Sequence, residues 1–128
     1  MTTTHKITSA RKREIAEHYI RELDQHMQDL KSGRAIRTLD IKDLAEKLFI
    51  HPRHLSNTLH EVLGKSPCDL YENRLITIAK ELILESDESI ANIARDLNFD
   101  PSNFNKFFKR FAGGITPKQF RDAHRSKN

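Results

Sequence analysis

Apolar residues recur at helical spacing along most of the chain. Ile15, Tyr19, Leu23, Met27 and Leu30 lie three or four residues apart, the stripe of an amphipathic helix that should end near Gly33. Beyond it, one pattern occurs twice. IKDLAEKLFIHPRHLSNTLHEVLG (41–64) and IANIARDLNFDPSNFNKFFKRFAG (90–113) align at a constant offset of 49 residues, sharing Ile41 with Ile90, Ala45 with Ala94, Leu48 with Leu97, Pro52 with Pro101 and Gly64 with Gly113. Apolar positions match between those identities: Leu44 with Ile93, Ile50 with Phe99, Leu55 with Phe104, Leu59 with Phe108, Val62 with Phe111.

Each copy opens with apolar residues at i, i+3, i+4 and i+7, breaks for about three residues, and restarts at a proline suited to the first turn of a helix. Asp100 before Pro101 is a good N-cap and His51 before Pro52 a poorer one; Gly64 and Gly113 close the second helices. Helix, tight turn, helix, twice over, predicts paired helix-turn-helix units. Between them, SPCDLYENRLITIAKELILES carries a capping-box-like start (Ser66, Asp69), Pro67 and an apolar stripe through Ile83. A helix over 67–85 would be roughly 28 Å long and could act as a rigid spacer. Thr116 and Pro117 start a last short helix through Phe120.

The expected fold class is therefore all-α: two helix-turn-helix subdomains joined by a long linker helix, homeodomain-like, about seven helices in all. The domains expected are a lead and first helix over 1–38 packing on the first unit, the first unit over 39–65, the linker over 66–86, and the second unit with its C-terminal helix over 87–125. With 128 residues, there is room for one core-bearing domain or two very small ones.

Charge changes this picture in one respect. The net charge of +4 is modest, but residues 90–128 hold eight Lys and Arg against three acids, leaving the rest of the chain close to neutral. Such an excess marks a solvated tail or a phosphate-facing surface. Cys68 is the only cysteine, which excludes an internal disulfide and fits a reducing cytoplasm. No apolar run approaches a membrane span or signal-peptide core, and the lead MTTTHK is expected to fray.

Five of the seven Phe fall in LNFDPSNFNKFFKRF (97–111), interleaved with Asn, Ser, Lys and Arg, as in a platform that stacks single-stranded bases. The repeat argues against that. Phe104, Phe108 and Phe111 match Leu55, Leu59 and Val62, so apolar bulk rather than aromaticity is retained; only Phe107, matched by Thr58, is left open. The opposite face of the second copy holds Ser102, Asn105, Lys106 and Lys109, and that of the first holds Arg53, Ser56, Asn57 and His60. Donors and acceptors in that arrangement suit the major groove of double-stranded DNA.

Two helix-turn-helix units joined by a long helix, Arg74 in RLITIAKELI, and a closing F-x-K-R…G…T-P-x-x-F-R from Phe107 to Arg121 resemble the DNA-binding domain of AraC/XylS-type transcriptional regulators. The resemblance covers about residues 10 to 124. It implies that each second helix enters the major groove, on successive turns of one face of the duplex. Base-reading roles then fall to Arg53, Ser56, Asn57, His60, Ser102, Asn105 and Lys106, and phosphate contacts to Arg95, Lys109, Arg110, Lys118 and Arg121. The family's turn usually carries Gly where this chain has Phe49 and Asn98. Asn tolerates a left-handed backbone and Phe does not, so the first turn is expected to be built differently. One extra residue between Gly113 and Thr116 leaves the placement of the last helix open. With no companion sensor domain, the chain resembles a sensor-less member or an excised output domain, acting as a cytoplasmic, nucleoid-associated monomer.

Other chemistries find less support. His51, His54 and His60 lack a Cys or carboxylate partner at ligand spacing, Cys68 lacks a matched base, and no phosphate loop is present, so neither cofactor, metal nor enzyme activity is expected. The alternative from another class is an adaptor docking on a protein such as RNA polymerase, through the helix around Ile15 to Leu30 or the acidic stretch Glu81 to Glu88.

Overall fold

The structure, a computed structural model, describes residues 9–33 and 41–125, so the lead MTTTHK and Lys127 of the basic tail lie outside the described residues. It contains seven helices and no strands among those residues: α1 (Ser9–Lys31), α2 (Ile41–Leu48), α3 (Pro52–Leu63), α4 (Pro67–Glu85), α5 (Ile90–Asp96), α6 (Pro101–Phe111) and α7 (Pro117–Arg125). They form two compact units. Among the described residues, the first comprises 9–26 and 41–72 and the second 27–33 and 73–125, the division falling inside α1 and inside α4.

In the first unit the apolar faces of the four helical segments close on one another. Ile15, Ala16, Tyr19 and Leu23 of α1, Leu44, Ala45 and Leu48 of α2, Leu55 and Leu59 of α3, and Leu70 of α4 are buried. Polar links tie the rim: Lys12 donates to Glu61 at 2.7 Å, Lys47 to Glu22 at 3.2 Å, and His26 bonds the Tyr71 hydroxyl at 3.2 Å. Exposed ion pairs of this kind add little, so the unit is held by its apolar contacts.

The turns that join the helices of each unit have the same construction. After α2, the Ile50 N–H bonds the Ala45 carbonyl at 3.1 Å and the Phe49 N–H bonds Glu46 at 3.1 Å. After α5, the Phe99 N–H bonds Ala94 at 2.8 Å and the Asn98 N–H bonds Arg95 at 2.9 Å. Both are Schellman closures, which require a left-handed residue just past the helix, and Phe49 (φ 59°) and Asn98 (φ 68°) supply it. This corrects the expectation that Phe49 would force a different first turn. The closing hydrogen bonds and the packing of α2 against α3 over-determine the backbone, which then holds an aromatic residue where its Cβ is crowded.

The second helices start as the prolines imply. Asp100 accepts from the Ser102 N–H at 3.1 Å, and His51 performs the same task, its Nδ1 accepting from the Arg53 N–H at 3.1 Å. Gly64, at φ 70°, closes α3, and Gly113, at φ 69°, closes α6, with the Gly114 N–H reaching the Lys109 carbonyl at 2.9 Å. That closure absorbs the extra residue. The last helix is then placed by a reciprocal capping box in which the Gln119 N–H bonds Thr116 Oγ1 at 3.1 Å and the Thr116 N–H bonds Gln119 Oε1 at 2.8 Å. α7 runs on to Arg125, past the expected end at Phe120.

The core of the second unit is aromatic. Phe104, Phe107, Phe108 and Phe120 are buried with Ile93, Ala94, Leu97, Leu75, Ile78, Ala79 and Ile83. Phe99 stacks on Phe107 at 5.0 Å, and Phe108 meets Phe120 edge-on at 5.4 Å. Phe107 is 8% exposed, which places it in the core; its counterpart Thr58 is buried as well. Phe111 is only half-buried, at the end of the row. Fully burying each Phe contributes roughly 1.5–3 kcal/mol, enough to fix α6 by its inner face.

At 94% exposure, the Phe49 side chain recovers nothing from packing. Phe49→Gly should therefore stabilise the first unit by roughly 1 kcal/mol. Amide exchange would show slower opening of α2 and α3 and unchanged rates in α5 and α6.

Candidate nucleic-acid interface

Packing of the inner faces leaves the other face of α3 and α6 outward. On α6, Ser102, Asn105, Lys106 and Lys109 are all exposed, while Phe104, Phe107 and Phe108 point into the core. On α3, Arg53, Asn57 and His60 are exposed and Ser56 is half-buried, opposite buried Leu55, Thr58 and Leu59. Each unit thus presents its expected reading residues together on one helical surface.

The first turn of each helix has a defined hydrogen-bond state. The Asp100 carboxylate receives not only the Ser102 N–H but also the Ser102 hydroxyl, Oγ to Oδ2 at 2.6 Å. That hydroxyl bond, then the backbone N–H groups of Ser102 and Asn103 and the nearby Arg95, hold the carboxyl below its usual range against the opposing effect of burial. On α3 the capping atom is a ring nitrogen. Because the Arg53 N–H can only donate, Nδ1 of His51 is the acceptor in this contact.

The basic residues divide into two kinds. Lys106 and Lys109 are exposed without an ion-pair partner among the described residues, Arg95 donates to Asn92 Oδ1 at 3.1 Å, and Lys118 pairs with Asp122 at 3.0 Å on the surface. Arg110 lies over the Phe111 ring at 4.9 Å with its residue exposed. These are positions from which a charged head can swing to an anion, because exposed pairs are weak.

Arg121, expected at a phosphate, is different: its guanidinium is engaged within the second unit. Its Nε donates to the Ile83 carbonyl at 2.9 Å, Nη1 to Glu88 at 2.7 Å and Nη2 to Ser86 at 3.1 Å. Arg125 adds bonds to the Ser86 carbonyl at 2.9 Å and to Asp87 at 3.0 Å. α4 has no basic residue in its own last turn, so α7 supplies the cations that its open carbonyls require. Spacing along the sequence gave no sign of this, since the partners stand 33 to 38 residues away.

Of the surfaces considered for a protein-docking adaptor, the apolar stripe of α1 is core, while the acidic stretch stays exposed with some of its groups paired. Ile15, Tyr19 and Leu23 are buried in the first unit and Met27 and Leu30 in the second. In the acidic stretch, Glu81 pairs with Lys31 at 2.9 Å, Asp87 with Arg125 at 3.0 Å, and the Ser86 and Glu88 carbonyls are held by Arg121. Among the described residues, no group of three or more His, Cys, Asp or Glu gathers as a metal site, and no helix is long and apolar enough to cross a membrane.

Comparison with known proteins agrees with this geometry. A family model described as a helix-turn-helix domain matches residues 44–123. An uncharacterised HTH-type transcriptional regulator of Bacillus subtilis, YisR, is 32% identical over 118 residues, 91% of this chain and 37% of that protein. The arabinose operon regulatory protein of Escherichia coli is 30% identical over 103 residues, 80% of this chain and 34% of its own length. The chain thus spans about a third of the length of these curated relatives. Among solved structures, the DNA-binding domain of AdpA, a global transcriptional factor in complex with a target DNA, superposes with a TM-score of 0.73 at 20% identity over 87% of this chain and 96% of that one. By the family model, these relatives and the shared seven-helix fold, the chain belongs to the AraC-type helix-turn-helix family of transcriptional regulators.

Proposed function

We propose that this chain is a sequence-specific reader of double-stranded DNA, each unit placing its second helix, α3 or α6, in the major groove. The observation that carries this reading is the paired exposure of Arg53, Ser56, Asn57 and His60 on α3 and of Ser102, Asn105, Lys106 and Lys109 on α6, each set backed by a buried apolar face. A solvated face would not require the same turn, the same capping position and the same arrangement of polar groups twice. The AdpA complex, a protein of the same fold with a target DNA, favours the same use here.

Two non-identical helices imply an asymmetric site with two unlike half-sites in successive major grooves, about one turn apart. Arg53, Ser56, Asn57, His60, Ser102, Asn105 and Lys106 read base edges; Arg95, Lys109, Arg110 and Lys118 neutralise phosphates. Arg121 positions α7 against the end of α4. The competing role, docking on RNA polymerase, finds no support in the apolar stripe of α1, which is core; the exposed acidic stretch is the surface left to it.

Selection of bound sequences from a random duplex library tests the reading directly. It should enrich an asymmetric motif with two half-sites about one turn apart, and no enrichment would sink it. Lys109→Ala should weaken binding to all sequences and flatten the dependence of log affinity on log salt by about one unit. By contrast, Arg53→Ala should cost about 1–3 kcal/mol at one base position and leave random-DNA affinity nearly unchanged. Arg121→Ala should lower the stability of the second unit by about 1–3 kcal/mol in thermal unfolding while leaving the salt slope as in the parent.

A further inference from the structure

The two reading helices share a scaffold, yet the side chains at equivalent places in their first turns have opposite hydrogen-bonding character. Position for position, His51 corresponds to Asp100 and Arg53 to Ser102. Arg53 is exposed and its guanidinium can only donate. His51, with Nδ1 engaged by the Arg53 N–H, has only the Nε2 proton to offer outward. This corner of the first unit therefore presents donors alone.

In the second unit the corresponding pair, Asp100 and Ser102, presents acceptors alone. Asp100 is a carboxylate, and the one proton on Ser102 Oγ is directed into it at 2.6 Å. What remains exposed on Ser102 is its lone pairs. A free serine hydroxyl rotates and serves either partner, so it discriminates poorly; a hydroxyl whose proton is held elsewhere does not.

We infer that the two half-sites are read with opposite polarity at this corner: Arg53 selects an acceptor edge, guanine N7 and O6 above all, whereas Ser102, oriented by Asp100, selects a major-groove amino donor, cytosine N4 or adenine N6. The inference rests on α3 and α6 being the DNA-reading helices. Asp100 is in this scheme a positioning residue, acting through the hydroxyl that it orients. Lys106 and Asn105 lie a turn further along α6 and read other positions.

The test begins with the selected motif and uses the whole chain throughout. The base position that loses its preference in Ser102→Ala belongs to Ser102, and the one lost in Arg53→Ala belongs to Arg53. At the first, cytosine or adenine should be preferred over guanine or thymine by about tenfold. Methylation of that cytosine at N4, or adenine at N6, preserves base pairing but replaces the major-groove hydrogen, and should lower affinity by about tenfold in the parent and not in Ser102→Ala. At the second position, 7-deazaguanine should lower affinity by about tenfold in the parent and not in Arg53→Ala.

Asp100→Gly supplies a separate readout, because glycine is tolerated as a helix cap but frees the Ser102 hydroxyl to donate. The preference at the Ser102 position should then fall to less than about threefold, with α6 amide exchange little changed. Loss of the hydroxyl in Ser102→Ala should also move the Asp100 carboxyl titration, followed by NMR, upward towards 3.8. An enriched two-part motif with a guanine or thymine preference at the Ser102 position, or insensitivity there to amino methylation, overturns the polarity assignment alone. Absence of any enriched motif overturns the DNA-reading assignment, and the polarity assignment with it.

Discussion

The direction in which α3 and α6 leave the helices before them is set by one left-handed residue, Phe49 in the first unit and Asn98 in the second, and by the pair of hydrogen bonds that this backbone allows. A chain reversing within three residues without such a closure would leave the last carbonyls of α2 and α5 without a backbone partner. With it, Ile50 and Phe99 turn inward and the following proline starts a new helix at a fixed angle. The polar faces of α3 and α6 point outward because this corner holds. The aromatic side chain at Phe49 shows how strongly the surroundings impose the turn: it adopts the same backbone as an asparagine despite the crowding at its Cβ.

Above that shared corner, the two units fill the space behind α3 and α6 differently. Leucines and a threonine do so in the first, interlocking phenylalanines in the second. Shape and apolar area are what the site requires, and either set satisfies it. The larger rings leave α6 pinned along most of its length, with Phe107 in contact with both Phe99 and Phe111.

The positive charge of the C-terminal third serves two purposes. Arg121 and Arg125 bind carbonyls in and just after the last turn of α4, where the helix has no cation of its own, and this holds α7 in place. Lys106, Lys109, Arg110 and Lys118 remain on the surface. A count of charges along the chain cannot separate these groups, because an arginine bound to carbonyls and an arginine exposed to solvent contribute the same +1. Glu88 adds a related detail: the neighbouring carboxyl of Asp96 pushes its own carboxyl up from the ordinary range, so like charges meet beside α5.

Helix existence, helix ends and the inward face of each helix were legible in the sequence because their causes are local. A stripe repeats every three to four residues, a proline suits a first turn, and the repeat distinguishes retained apolar bulk from mere aromaticity. The exposed polar faces of α3 and α6 were legible for the same reason, as the complement of the buried ones. Three features were decided only by the folded chain. The left-handed turn at Phe49 follows from closure between two packed helices, against the residue's own preference. Arg121 is committed to the end of α4 by contacts across more than thirty residues of sequence, which no periodicity encodes. Finally, the direction of a proton, from Ser102 into Asp100 and away from His51 Nδ1, depends on distances of about 3 Å between side chains and backbone, and these exist only once the helix caps have formed.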